Sequence, residues 1–204
     1  MARNQYVEIN TAFCVPGLST EEQQRLLAVC DVTPHPLSPQ LKEAVQDANL
    51  RGYIHLTSRG LVEELAWHPR LRFTFFTAKL EEAAVPTFAV HSREWIHLRE
   101  LDMRFCGLAV FPSWLSRLSE LWVLSLLGND KIKISDDAVF PPLLRVLYLD
   151  GCGLSKVPAG VIGLEHLLVL GLGFNEWGLD LPHTLAKRQR ARSLQISGML
   201  LEDW

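Results

Sequence analysis

The sequence predicts an α/β solenoid in which short parallel strands form one curved open sheet behind a partly helical N-terminal cap. Three observations support this fold class. An apolar motif recurs four times at a fixed step of 23 residues, an asparagine or cysteine follows each copy at the same distance, and the first third of the chain carries helix signals instead. A repeat of this length is typical of a solenoid, because one unit cannot bury its apolar face without neighbours.

The repeated motif has three apolar positions with the spacing Leu-x-x-Leu-x-Leu. Its copies begin at residues 98, 121, 144 and 167. Successive strand side chains point to opposite faces, so each copy predicts a short strand with one buried face. We expect parallel strands centred near residues 74, 102, 125, 148, 171 and 195. The inward side chains of the four clear copies are Leu101, Met103, Leu124, Leu126, Leu147, Leu149, Leu170 and Leu172.

A turn residue stands five positions after the second apolar position of each copy. The four residues are Cys106, Asn129, Cys152 and Asn175. Buried backbone groups need hydrogen-bond partners, and a side chain at the point where the chain leaves the strand can supply them. We therefore interpret Cys106 and Cys152 as structural residues rather than reactive thiols.

These copies resemble the repeats of the leucine-rich-repeat family, in which Leu-x-x-Leu-x-Leu is followed by Asn or Cys. The pairs Phe111-Pro112 and Val157-Pro158, which open the returning segment, make the units similar to the 23-residue LPxx-type repeats of cytosolic members. The resemblance covers residues 98–185 strongly. It implies a leucine-rich-repeat solenoid with a curved parallel β-sheet that binds another protein on its concave face.

Weaker units flank the clear copies. Phe73-x-Phe75 and Leu194-x-Ile196 have apolar spacing of the right kind, but Ala78 and Met199 replace the asparagine or cysteine. We expect residues 70–204 to form the repeats and residues 1–69 to form an N-terminal helical cap with degenerate repeat-like strands. Cap and repeats are expected to make one continuous domain.

The segment 1–69 predicts two helices and two degenerate strands. Ser19-Thr20-Glu21-Glu22 is typical of a helix start before Leu26–Val29, and a second helix is expected over Pro39–Asn49. Val7-x-Ile9 and Ile54-x-Leu56 are the candidate strands. A cap is expected because solenoid ends expose apolar core unless a more polar unit covers them.

Charge and hydropathy argue against several classes of partner. A formal net charge of −3 gives no support for a nucleic-acid partner, which normally meets a basic patch. The basic run Lys187–Arg192 is interpreted as a solvated loop face, with an anionic partner as the alternative. No apolar run is long enough to span a membrane, and the N-terminus lacks the apolar stretch of a signal peptide. We therefore expect a cytoplasmic protein with free thiols.

Catalytic and metal-binding motifs are absent from the sequence. Cys30-Asp31 near His35 resembles an activated thiol, but Cys30 follows the apolar side of Leu26–Val29, which favours a buried cysteine. The sequence contains no CxxC pair, P-loop, GxSxG, HExxH or C-x5-R pattern. We expect no catalytic residue, metal or cofactor. An enzyme or enzyme subunit with its site in the N-terminal third is the alternative.

Outward positions of the strands predict a partner-binding surface. Side chains that face away from the core are not needed for packing, and aromatic and arginine residues are the commonest anchors of interfaces. For the two phenylalanines, local packing over the sheet edge is the alternative. The predicted partner-binding residues are Asp102, Arg104, Phe105, Leu127, Tyr148, Asp150 and Phe174. The leading hypothesis is a monomeric protein-interaction module, either an adaptor or a stoichiometric inhibitor such as a toxin-neutralising partner.

Overall fold

A computed structural model describes residues 37–66, 75–176 and 178–198. The predicted strand Val7-x-Ile9, the helix that starts near Ser19 and the turn residue Met199 lie outside the described residues. The same is true of Cys30 and His35.

The first described element is the helix expected over Pro39–Asn49. Helix α1 (Pro39–Arg51) begins at Ser38, whose Oγ accepts a hydrogen bond from the backbone N–H of Leu41 at 3.1 Å. It ends at Gly52, which adopts a left-handed φ of 80°. Its buried face packs against strand β1 (Ile54–Leu56). The bounds of β1 are those of the candidate strand Ile54-x-Leu56, which is therefore confirmed. The buried residues of α1 are Leu41, Val45 and Ala48.

Within the described residues, seven parallel strands form one open sheet in chain order. Leu101 pairs with Leu124, Leu124 with Leu147, and Leu147 with Leu170. The 23-residue step of the sequence is therefore the register of the sheet, and the predicted parallel pairing is confirmed. After β1 the strands are β2 (Thr77–Leu80), β3 (Glu100–Asp102), β4 (Val123–Ser125), β5 (Val146–Tyr148), β6 (Val169–Gly171) and β7 (Gln195–Ser197).

Short helical segments connect the strands. The α-helices after α1 are α2 (Arg59–Ala66), α3 (Val85–Val90), α4 (Ala159–Ile162) and α5 (His183–Arg190). The 3₁₀ turns are Glu82–Ala84, Ser92–Glu94 and Ser113–Arg117. Pro112 and Pro158 stand at the N-caps of the turn Ser113–Arg117 and of α4, two residues after the isolated bridges at Val110 and Lys156, where an extended proline can start the returning segment.

The leucines form a continuous core. All eight predicted inward side chains are at most 2% exposed, and the cluster of buried apolar residues runs from Leu37 to Leu194. Strands β3 to β6 each carry inward leucines and have a paired strand on both sides, so neighbouring units stabilise one another.

The unit before the clear repeats lies further along the chain than the sequence predicts. Strand β2 covers Thr77–Leu80 instead of being centred near residue 74, and Ala78 pairs with Leu101. The unit is therefore Phe75-x-x-Ala78-x-Leu80, and Ala78 is an inward residue rather than the turn residue. The motif was not recognised in the sequence because Ala78 occupies a position that is leucine in the clear copies. The later strand centres differ from the predicted ones by one residue, and the inward set is unchanged.

The basic run Lys187–Arg192 is largely exposed, as expected of a solvated face, but most of it is helical rather than a loop. Its first four residues form the last turn of α5, and Arg188 donates hydrogen bonds to the carbonyl oxygens of Leu164 at 2.8 Å and Glu165 at 3.2 Å. A guanidinium has enough donors to satisfy several carbonyls at once, so Arg188 ties α5 to the preceding unit.

Candidate functional site

The surface that carries the predicted binding residues is held in place by continuous backbone pairing. The pairing extends past the assigned strands, because Phe105 N–H donates to Leu127 O at 3.0 Å and Gly128 N–H donates to Asp150 O at 2.9 Å. We call this surface the outer strand face. It consists of Glu100, Asp102, Arg104, Phe105, Val123, Ser125, Leu127, Gly128, Val146, Tyr148, Asp150, Gly151, Val169, Gly171, Gly173 and Phe174.

Turn residues join each unit to the one before it. The Asn129 amide donates to Met103 O at 3.0 Å and to Leu126 O at 2.6 Å, and its Oδ1 accepts from Leu108 N–H at 3.1 Å. Asn175 makes the same contacts two units later, where its amide donates to Leu149 O and to Leu172 O, both at 2.9 Å. The predicted role of this position in satisfying backbone groups is confirmed.

The two cysteines at the equivalent position are structural. The Cys106 thiol donates to Leu80 O and the Cys152 thiol donates to Leu126 O, both at 3.3 Å. Burial raises the pKa of Cys106 to about 12 and that of Cys152 to about 11. Since the thiolate is the reactive form, both groups stay protonated and unreactive near neutral pH.

Cys106 and Cys152 are therefore expected to resist alkylation in the folded protein. At pH 8 the rate of reaction with iodoacetamide should be at least about 100-fold lower than in the unfolded chain, because so little thiolate is present. Peptide mapping by mass spectrometry measures each site separately. Rapid alkylation of either residue without unfolding would contradict the structural role.

Arg104 and Asp102 form one ion pair on the outer strand face. Arg104 Nε donates to Asp102 Oδ1 at 3.0 Å and to Oδ2 at 2.9 Å, and Nη2 lies 2.7 Å from Oδ2. The hydrogen bonds to Asp102 raise the pKa of Arg104. Asp102 itself is buried. Arg104 therefore holds a buried carboxylate, and replacing it would affect stability as well as any binding.

Tyr148 and Asp150 lean over the glycines of the next unit. A Cβ added at Gly171 would overlap the Asp150 carboxylate and lie 2.9 Å from Tyr148 Cδ1. The Gly173 N–H donates to Asp150 Oδ1 at 2.8 Å. Burial raises the pKa of Tyr148, the Asp150 charge adds to this shift, and Arg104 opposes it. Burial also raises the pKa of Asp150, against the hydrogen bond from Gly173.

Only part of the predicted binding set is accessible, which corrects the expectation that outward side chains are free to meet a partner. Asp102, Tyr148 and Asp150 are 6%, 8% and 4% exposed. Leu127 is half-buried and Arg104 is exposed. That Gly171 and Gly173 make room for this burial was not recognised from the sequence. The signal was present, because the two glycines stand 23 residues after Tyr148 and Asp150.

The two phenylalanines are the most exposed members of the set, at 70% for Phe105 and 77% for Phe174. Phe105 lies over Gly128 of the next unit, where an added Cβ would overlap its ring. The expected alternative, local packing over the sheet edge, therefore describes the face of the Phe105 ring that contacts Gly128. Most of both rings still faces solvent.

The described residues contain no group of three or more His, Cys, Asp or Glu side chains that could hold a metal ion. In the same part of the chain, no helix has the length and hydropathy needed to cross a membrane.

Comparison with known families identifies the repeat. The Leucine Rich Repeat family model matches residues 97–118, the unit that contains β3 and the turn Ser113–Arg117. No curated protein matches the chain significantly. Leucine-rich-repeat domains are generally protein–protein interaction modules, and the family is typically non-enzymatic. The family match over one unit, the all-parallel sheet and the column of buried leucines together support a leucine-rich-repeat protein.

Proposed function

We propose that this protein is a cytoplasmic, monomeric module of LPxx-type repeats that holds one partner protein on its outer strand face. It acts as an adaptor or as a stoichiometric inhibitor of that partner. The observation that supports this most strongly is the presence of two exposed phenylalanines at backbone positions that favour glycine.

Phe105 and Phe174 have left-handed φ values of 55° and 57°. The equivalent residues of the two units between them are Gly128 and Gly151, with φ values of 75° and 62°. A residue with a side chain costs roughly 1–2 kcal/mol in this conformation. Because both rings are mostly exposed, burial does not offset this cost. A partner that covers the rings explains why aromatic residues stand where glycine would be more stable.

The spacing of the two phenylalanines suits one docked segment. They follow β3 and β6, so three strand spacings separate them, about 14 Å. The Phe105 ring lies over Gly128, whereas Gly151, between it and Phe174, leaves that part of the surface without a side chain. A partner segment can approach the backbone there with an aromatic ring on each side. This span fits well inside an interface of standard size.

Replacing both phenylalanines with glycine is expected to weaken partner binding without lowering the free energy of unfolding. For a partner recovered by pull-down from the native cytosol, the double variant Phe105→Gly/Phe174→Gly should bind at least about 1–2 kcal/mol more weakly. Its free energy of unfolding should stay unchanged or rise by up to about 1 kcal/mol, since glycine adopts a positive φ without strain. Calorimetric titration and urea denaturation measure the two quantities.

Val139→Ala is the matched control, because Val139 is 64% exposed and lies away from the outer strand face. It should change neither quantity measurably. If the double glycine variant binds the recovered partner as tightly as the wild type does, the outer strand face is not the docking site.

A further inference from the structure

A second column of side chains crosses the sheet just before the strands begin. Its backbone is one chain of hydrogen bonds, in which Arg99 N–H donates to Phe76 O at 2.8 Å, Trp122 N–H to Arg99 O at 2.7 Å, Arg145 N–H to Trp122 O at 2.8 Å and Leu168 N–H to Arg145 O at 2.7 Å. These bonds hold the five residues one strand spacing apart. We call the column Phe76, Arg99, Trp122, Arg145 and Leu168 the stacked edge.

Aromatic rings and guanidinium groups alternate along the stacked edge. The guanidinium carbon of Arg99 lies 4.8 Å from the centre of the Phe76 ring and 5.0 Å from that of Trp122. The guanidinium carbon of Arg145 lies 4.8 Å from the centre of the Trp122 ring. Cation–π contacts at this range hold each guanidinium group in a defined place. The ordering cost of a later contact is thereby reduced.

The two arginines have no acidic partner among the described residues. Arg99 is half-buried and Arg145 is exposed, and neither forms an ion pair there. Stacking occupies the faces of a guanidinium group, whereas its five N–H donors lie in the plane and point from its edge. Each arginine therefore retains an N–H fork suited to a carboxylate.

The surroundings of the arginines favour a protein over a nucleic acid. Leu168, the next member of the column, is 54% exposed, and Leu143, two residues before Arg145, is 41% exposed. A surface that combines two ordered guanidinium groups with exposed leucines complements a segment that is both acidic and apolar. Nucleic-acid surfaces, by contrast, carry extended basic patches.

We propose that the stacked edge binds an acidic, amphipathic helix of a partner protein, with one carboxylate on Arg99 and one on Arg145. The two guanidinium groups are two strand spacings apart, roughly 10 Å. Two glutamates seven residues apart on one helix face have nearly the same separation, about 10.5 Å. The proposal does not depend on Phe105 and Phe174, because the stacked edge lies before the strands begin, whereas the two phenylalanines lie beyond the ends of β3 and β6.

A helix-forming 15-residue peptide with two glutamates seven residues apart, flanked by leucines, is the probe. Titration into the ¹⁵N-labelled protein should shift the Nε–Hε signals of Arg99 and Arg145, and the peptide with glutamine in place of both glutamates should bind at least about 10-fold more weakly. The double variant Arg99→Gln/Arg145→Gln should lose at least about 10-fold in affinity. Arg93→Gln, at an exposed arginine that stacks on no described ring, should keep it. Thermal melts verify that each variant is folded.

Trp122→Leu keeps both charges but removes the ring between them, so it should weaken the peptide several-fold, while Trp122→Phe should restore most of the affinity. The variant Phe105→Gly/Phe174→Gly should bind the peptide as the wild type does. The proposal is overturned if the glutamine peptide binds equally well, or if the double arginine variant keeps its affinity. It is also overturned if a single-stranded RNA of similar length binds the stacked edge more tightly than the acidic peptide.

Discussion

Leu147→Ala is expected to lower the free energy of unfolding by about 2–5 kcal/mol. Leu147 is fully buried, and it pairs with Leu124 on one side and with Leu170 on the other. Truncation leaves a cavity that two neighbouring units share, and the closely packed column cannot collapse to fill it. Urea denaturation followed by circular dichroism measures the change.

Leu168→Ala makes the same substitution at a leucine that is 54% exposed. It should cost no more than about 0.5–1 kcal/mol, since little apolar area returns to water. Equal destabilisation by the two variants would contradict the difference in burial between Leu147 and Leu168.

Asn129→Ala is expected to cost about 2–5 kcal/mol, a large effect for a polar residue. Asn129 is 1% exposed and makes three hydrogen bonds to backbone groups of two units. Removing the side chain leaves buried polar groups without partners, each at a cost of about 1–3 kcal/mol. Asn129→Cys should recover at least about 1 kcal/mol of this loss, because a thiol at the equivalent Cys152 donates to a backbone carbonyl.

Asp130→Ala changes the exposed neighbour and should alter stability by less than about 0.5 kcal/mol. Denaturant titrations of the three variants in parallel give the comparison. If Asn129→Ala is no more destabilising than Asp130→Ala, the asparagine does not join the units through its side chain.

The inward side of the sheet could be predicted from the sequence in detail. Alternation along a strand depends only on local geometry, and the 23-residue step repeats the same local pattern in every unit. Leu101, Leu124, Leu147 and Leu170 are therefore buried and paired as expected. The predicted position of the inward residues was wrong only in β2, where an alanine, Ala78, stands at an inward position that is leucine in the clear copies.

The accessibility of the outward side could not be predicted in the same way. The sequence indicated that Tyr148 and Asp150 point away from the core, but not that both are covered. Their burial depends on Gly171 and Gly173 of the following unit, which leave room for the two side chains to lie across the next strand. Such contacts arise only when the units are stacked.

The sequence by itself thus determined the repeat, the parallel register and the identity of the core leucines, because these depend on periodicities of two and 23 residues. Only the tertiary structure decided which outward groups are available. It covered Tyr148 and Asp150 across the glycines of the next unit, left most of the Phe105 and Phe174 rings exposed, and stacked Arg99 and Arg145 on Trp122. The physical reason is that an outward side chain finds its neighbours across strands, at residues some 23 positions away, so its exposure depends on the side chains of adjacent units.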